Sequence, residues 1–170
     1  MLFYLIVFFV LGNAVGSFIN VVIDRSVKSE SLLGRSYCDF CRVKLSALDL
    51  VPIVSFVALW GRCRYCKRKI SWQYPVVEFA CGILFSFVFY HLASLGILHY
   101  TVLAYYLFIL AIFLIVAVVD FKYSLIPTSV VYLASFTTLF YDYFYLSSNE
   151  FVTNVAVAFI LALFFLSIVV

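Results

Sequence analysis

MLFYLIVFFVLGNAVGSFINVVI, residues 1–23, carries no charged side chain before Asp24. As a helix rising ~1.5 Å per residue it outreaches the ~30 Å hydrocarbon core of a bilayer. "AVGS" at 14–17 is a weak match to a signal-peptide cleavage site, but no Lys or Arg precedes the apolar run. The stretch therefore reads as a retained membrane span. The rest of the chain agrees: 67% of its 170 residues are hydrophobic and 11% are charged, against about 25% charged in soluble domains. Such a composition excludes extended disorder. The net charge of +3 is small, and no basic patch interleaves with a soluble fold, so nucleic-acid binding is excluded as a function class.

Residues 24–74 are the one long polar stretch and hold ten of the eleven basic residues. Basic loops stay in the cytoplasm, so this loop is expected inside and the N-terminus outside. Four further apolar runs follow, at about 75–95, 100–119, 125–146 and 151–170. Counting crossings puts "DFKYSLIP" (120–127), with Lys122, inside, and "LASLGILHY" and "SSNE" outside. The expected fold is an all-α polytopic membrane protein with about five transmembrane helices and a small cytoplasmic zinc-ribbon-like loop. Its expected parts are a first span at 1–23, the loop at 24–74, and a transmembrane region at 75–170. The many Tyr and Phe near span ends fit interfacial belts. No internal repeat is visible.

"CDFC" (38–41) and "CRYC" (63–66) form two C-x2-C pairs separated by residues 42–62. Paired thiols at this spacing suit a structural zinc ion held by Cys38, Cys41, Cys63 and Cys66. Zinc would also brace a loop too small to bury its own core. Disulfides are the alternative, but a cytoplasmic loop is reducing. Cys81 lies in an apolar run and reads as a small buried hydrophobe.

"GSFINVVIDR" (16–25), "CDFC", "DLVPIVSFVALWGRCRYCKRKISWQYPVVE" (49–78) and "VVDFKYSLIP" (118–127) occur in that order. Together they resemble the bacterial type IV prepilin peptidases, leader peptidases with an associated N-methyltransferase activity. The resemblance spans nearly the whole chain. It implies a multi-pass aspartic endopeptidase of the bacterial cytoplasmic (inner) membrane. Such enzymes cut the basic leader from type IV prepilins or type II secretion pseudopilins, and many then methylate the new N-terminus with S-adenosylmethionine. That cofactor follows from the resemblance alone, since the chain has no glycine-rich loop for it. Asp39 and Thr128 stand where the family often has Pro and Asn or Asp.

Asp120 ends a 20-residue apolar run, where an acid is costly without a function or water. The resemblance makes it the first catalytic aspartate. An aspartic protease needs two carboxylates, and the family's second sits in a G-x-G-D motif that these 170 residues do not contain. Asp142 is expected at the opposite membrane face, and Asp49 is expected to order the "DLVP" turn. Gly16 and Ser17 allow close helix contact. Asn20 and Arg25 are candidate substrate or cofactor contacts. So is Glu78, whose bland reading is an anion in the first turn of a span. The chain is thus expected to be C-terminally incomplete and inactive alone on prepilin. The alternatives are a membrane-anchored zinc-binding interaction module or an inactive peptidase. Expected partners are the precursor and membrane lipid.

Overall fold

The computed structural model describes every residue except Ser29, Leu32, Leu33, Ile126, Pro127 and Val170, and excludes the side chains of Phe159 and residues 161–169. Its helices are α1 (Leu2–Lys28), α2 (Val54–Ala58), α3 (Gln73–Ser94), α4 (Tyr100–Tyr123), α5 (Thr128–Tyr145) and α6 (Ser148–Val169). Among the described residues, extended pairing is limited to two isolated bridges in the loop. Among the described residues three helices, α1, α3 and α4, are long and apolar enough to cross a membrane. The chain divides into two units, residues 1–127 and 128–170.

In the first unit α1 and α3 pack along most of their length. Gly12 and Gly16 make this possible. A Cβ on Gly12 would stand 2.6 Å from the Cys81 carbonyl oxygen, and one on Gly16 would stand 2.7 Å from Glu78 Cα. Neither distance is compatible with a side chain, so "GNAVG" (12–16) is a small-xxx-small contact of the kind that draws membrane helices together. The partners run antiparallel. Phe8 stacks on Phe89 at 4.6 Å, Phe9 meets Phe79 edge-on at 5.8 Å, and Ser86 donates to the Leu5 carbonyl at 3.0 Å. Cys81 is fully buried in this interface.

α1 outruns the expected span end at Ile23 and continues to Lys28. "DRSVK" contains no helix breaker, and Arg25 and Lys28 suit the negative end of the helix dipole. α3 opens with Pro75 in its first turn, where a missing N–H leaves no bond unmade. A short turn at 95–99 leads into α4. α4 buries only a stripe of Ile112, Ile115 and Val119 and keeps the rest of its apolar surface outward, as lipid contact requires.

In the second unit, Ser147 and Glu150 cap α6 reciprocally: Ser147 N–H donates to Glu150 Oε2 at 3.0 Å, and Glu150 N–H to Ser147 Oγ at 3.4 Å. Asp142 is buried and accepts a bond from Asn154 Nδ2 at 3.1 Å. α5 is shorter than the three membrane-length helices and mixes hydroxyls with its apolar residues. Ser135 and Thr137 return their hydroxyls to carbonyls one turn back.

Candidate functional site

The tetracysteine cluster is built from two copies of one local structure. Cys38 N–H donates to the Val43 carbonyl at 3.0 Å, and Cys63 N–H to the Arg68 carbonyl at 2.9 Å. Arg42 N–H returns to Cys38 O at 2.9 Å, and Lys67 N–H to Cys63 O at 3.0 Å. Arg42 (φ 58°) and Lys67 (φ 59°) each turn left-handed directly after the second cysteine. Antiparallel bridges Tyr37–Lys44 and Arg62–Lys69 close the two knuckles. The loop thus contains a short structural repeat, carried in sequence by the cysteines, an aromatic between them (Phe40, Tyr65), a basic residue after them (Arg42, Lys67), and Lys44 and Lys69 two positions further on.

The four Sγ atoms lie within 4.8 Å of one another, with Cys38 and Cys66 at 3.8 Å. A tetrahedron of thiolates at ~2.3 Å from zinc has edges of about 3.8 Å, so the donor set fits. Burial acts to raise the Cys63 thiol, but backbone N–H groups of Cys66 and Tyr65, with neighbouring thiols, bring it down to about 7. At Cys41 the Val43 N–H acts to lower the thiol, while burial and the other three thiols raise it to about 11. Four thiols this close share negative charge poorly until a cation neutralises it. Four protein ligands would leave the metal no open position, which is a structural rather than catalytic arrangement.

Asp49 joins the knuckles to the turn at Ala47–Leu50. Its Oδ2 accepts from Ser46 N–H at 3.1 Å, and its Oδ1 pairs with Arg64 Nε at 2.6 Å. Burial works against the charge, but the bonds from Arg64 and Ser46 outweigh it and hold the carboxyl below its usual range.

Where the loop meets the spans, one face of α1 and one face of α3 supply a polar layer. Asn20 is buried, donates to the Tyr74 carbonyl at 3.1 Å and faces Gln73 Nε2 at 3.5 Å. Tyr74 donates its hydroxyl to Asp24 at 2.6 Å. Arg25 is buried and donates to the carbonyls of Ser31 at 2.9 Å and Gly34 at 3.2 Å. Glu78 is buried and accepts the Ile53 N–H at 2.7 Å. It therefore does not cap its own helix, as its place near Pro75 had suggested. Ile53 has φ 59° at the head of α2, a left-handed conformation that a β-branched residue adopts only under constraint.

Glu78→Ala should release that constraint. An unpaired buried N–H costs about 1–3 kcal/mol, so amide exchange across residues 51–60 should speed by roughly tenfold to a hundredfold, read by mass spectrometry. Glu78→Gln, which keeps an acceptor, should exchange more slowly than the Ala variant. Unchanged exchange in Glu78→Ala would disprove the latch.

Asp120 lies in the last turn of α4 and is exposed. Among the described residues its carboxylate has no hydrogen-bonding or ion-pairing partner. Ser124, left-handed at φ 50°, ends the helix with a 2.8 Å bond from its N–H to the Asp120 carbonyl. α4 packs against both α1 and α3 and, joined to α3 by a short turn, runs parallel to α1, so its C-terminal end lies at the end of the group where α1 enters the loop. Asp120 therefore sits at the end of the α1–α3–α4 group from which the cysteine loop emerges. Ile126 and Pro127 of "DFKYSLIP" lie outside the described residues. The roles of Asp24, Gln73 and Tyr74 were missed in the sequence, although their spacing from Asn20 and Glu78 along each helix was a usable signal.

Residues 10–92, which include most of α1, the loop and nearly all of α3, match the family model described as bacterial peptidase A24 N-terminal domain. The chain is 35% identical over 138 residues to a prepilin leader peptidase/N-methyltransferase of Vibrio cholerae, covering 76% of this chain and 53% of that protein. It is 36% identical over 126 residues to a protein of the same description from Klebsiella pneumoniae, covering 70% and 53%. With that of Bacillus subtilis it shares 32% over 127 residues, covering 73% and 48%. The chain spans about half the length of these curated relatives. No solved structure matches it.

Proposed function

This chain belongs to the prepilin leader peptidase/N-methyltransferase family, and on that premise we propose that it carries part of a membrane aspartic endopeptidase acting on type IV prepilins or pseudopilins. The observation that supports this most is that α4 ends in Asp120 at the same end of the α1–α3–α4 group from which the cysteine loop leaves. In the proposed chemistry one carboxylate takes a proton from water and the other donates one to the scissile carbonyl. Asp120 supplies one of the two. The other belongs to a G-x-G-D segment not found in these 170 residues. Zinc on Cys38, Cys41, Cys63 and Cys66 holds the loop in shape. Asn20, Arg25 and Glu78 contact substrate or cofactor; Arg25 and Glu78 also fasten the loop to the spans, and Asn20 ties α1 to the head of α3. S-adenosylmethionine-dependent methylation of the new N-terminus completes the reading. The test is a leader-cleavage assay on membranes containing the chain extended through a G-x-G-D segment. Release of the leader is expected, and its absence overturns the proposal.

The proposed arrangement is five spans in the inner membrane, with 24–74 and 120–126 cytoplasmic and 147–150 outside. The excess of basic residues in the loop supports it. Ser148→Cys should react with an impermeant thiol reagent in intact cells, and Ser46→Cys should not. The reverse pattern would move Asp120 to the wrong face for a cytoplasmic leader. One observation favours a second reading. Asp120 bonds to no other carboxylate among the described residues, as in a zinc-bearing module without peptidase chemistry of its own.

A further inference from the structure

Helix α2 carries an apolar face that nothing in the first unit covers. Val54 is 62% exposed, Val57 66% and Trp60 89%. Their spacing of three residues puts Val54 and Val57 on one side of the helix, and Trp60 follows two residues past its end. Depth is set by two contacts. Ile53, at the head of α2, gives its N–H to Glu78, which lies five residues beyond the start of α3, or about 7–8 Å along that helix. Phe56 packs on Trp72, the residue that precedes α3, with ring centroids 4.9 Å apart. A helix tied to the outer turns of a membrane-length helix lies at headgroup depth, where interfacial helices bury apolar faces by about 5–10 Å.

Charge borders this face. Trp60, Arg62 and Lys67 line one shallow depression, and Lys69 sits opposite Arg62 across the second knuckle's bridge. All three cations are exposed and stand outside both ion pairs of the loop. Aromatic and aliphatic side chains beside unpaired basic ones are complementary to an anionic bilayer surface.

We propose that α2 and the second cysteine knuckle dock onto anionic lipid, with Val54, Val57 and Trp60 entering the interface and Arg62, Lys67 and Lys69 meeting lipid phosphates. The inference rests on α1 and α3 being spans and not on the peptidase reading. Docking would neutralise the loop at the surface, so that its positive charge need not repel a basic leader.

Trp60 and Trp72 are the two tryptophans of the chain, so Trp72→Phe leaves Trp60 as sole reporter. The chain is reconstituted in bilayers of phosphatidylcholine brominated on its acyl chains, with or without phosphatidylglycerol. Trp60 emission should be quenched, and more strongly with phosphatidylglycerol. Arg62→Gln, Lys67→Gln and Lys69→Gln together should remove the added quenching, with docking weakened about fivefold per charge. Val57→Asp, at an exposed position, should release Trp60 without touching a cation. Retained zinc content would show that the knuckles still fold in each variant. Three results would each overturn the proposal: Trp60 open to aqueous iodide and unquenched by lipid; Trp60 shielded from both, as under another protein surface or a second copy; or equal quenching in the two bilayers. None of these measurements uses a prepilin, so failure here is distinct from failure of the peptidase reading.

Discussion

Residues 1–170 purified without chelator should hold one zinc ion per chain, and Cys63→Ser should hold none. The expectation follows from how little else holds the loop together. Among the described residues between Asp24 and Tyr74 the one buried apolar residue is Cys63 itself. The Arg64–Asp49 pair is half open to solvent at its arginine, which weakens it by solvent screening. Structural zinc contributes about 10–16 kcal/mol in small peptides, so metal and fold should be lost together here. Elemental analysis reads the stoichiometry, and limited proteolysis reads the loop. Cys63→Ser should become protease-sensitive between residues 36 and 70 while circular dichroism of α1 and α3 persists, because their contact runs through Gly12, Gly16 and Phe85 rather than through the knuckles. Cys81→Ser is the control and should keep its zinc. A metal-free wild-type loop with unchanged protease resistance would overturn the assignment.

Asp120→Asn should abolish leader cleavage by a chain extended through a G-x-G-D segment, and the 170-residue chain should not cleave at all. Two carboxylates must divide the roles of base and acid, and an amide can accept no proton from water. Loss of one positioned acid–base group removes about 10²–10⁴-fold in rate. The exposed place of Asp120 at the end of α4, free of other carboxylates, lets a second acid approach it from elsewhere. Membranes carrying the short chain, the extended chain and the extended Asp120→Asn variant, assayed side by side on a prepilin, separate the cases. Cleavage by the short chain would mean that the second acid lies within these residues. Full activity of the extended variant would remove Asp120 from the chemistry.

Much of the site lay open in the sequence because its signals are local. An uncharged run is a span whatever surrounds it, and the runs leading into α1, α3 and α4 became helices of membrane length. A C-x2-C pair makes its own turn, so two such pairs pointed to one cluster before any packing was known. Helix α1 runs five residues past the apolar run ending at Ile23, because hydropathy marks where a helix leaves lipid, whereas backbone hydrogen bonding decides where it stops. α5 falls short of a span in hydropathy, not in length, since hydroxyls, tyrosines and Asp142 interrupt the apolar run.

Sequence by itself determined the membrane class, the basic loop, the four clustered cysteines and the candidate acid Asp120, each from side chains near one another in the chain. Only the tertiary structure decided what Asn20, Arg25 and Glu78 touch. Asn20 reaches the Tyr74 carbonyl 54 positions away, Tyr74 reaches Asp24 across 50, and Glu78 reaches back 25 to the Ile53 amide. The two contacts between α1 and α3 exist only once Gly12 and Gly16 let those helices close on each other. Backbone groups look alike in any sequence, so which of them a buried polar side chain will meet is settled by helix packing and not by composition.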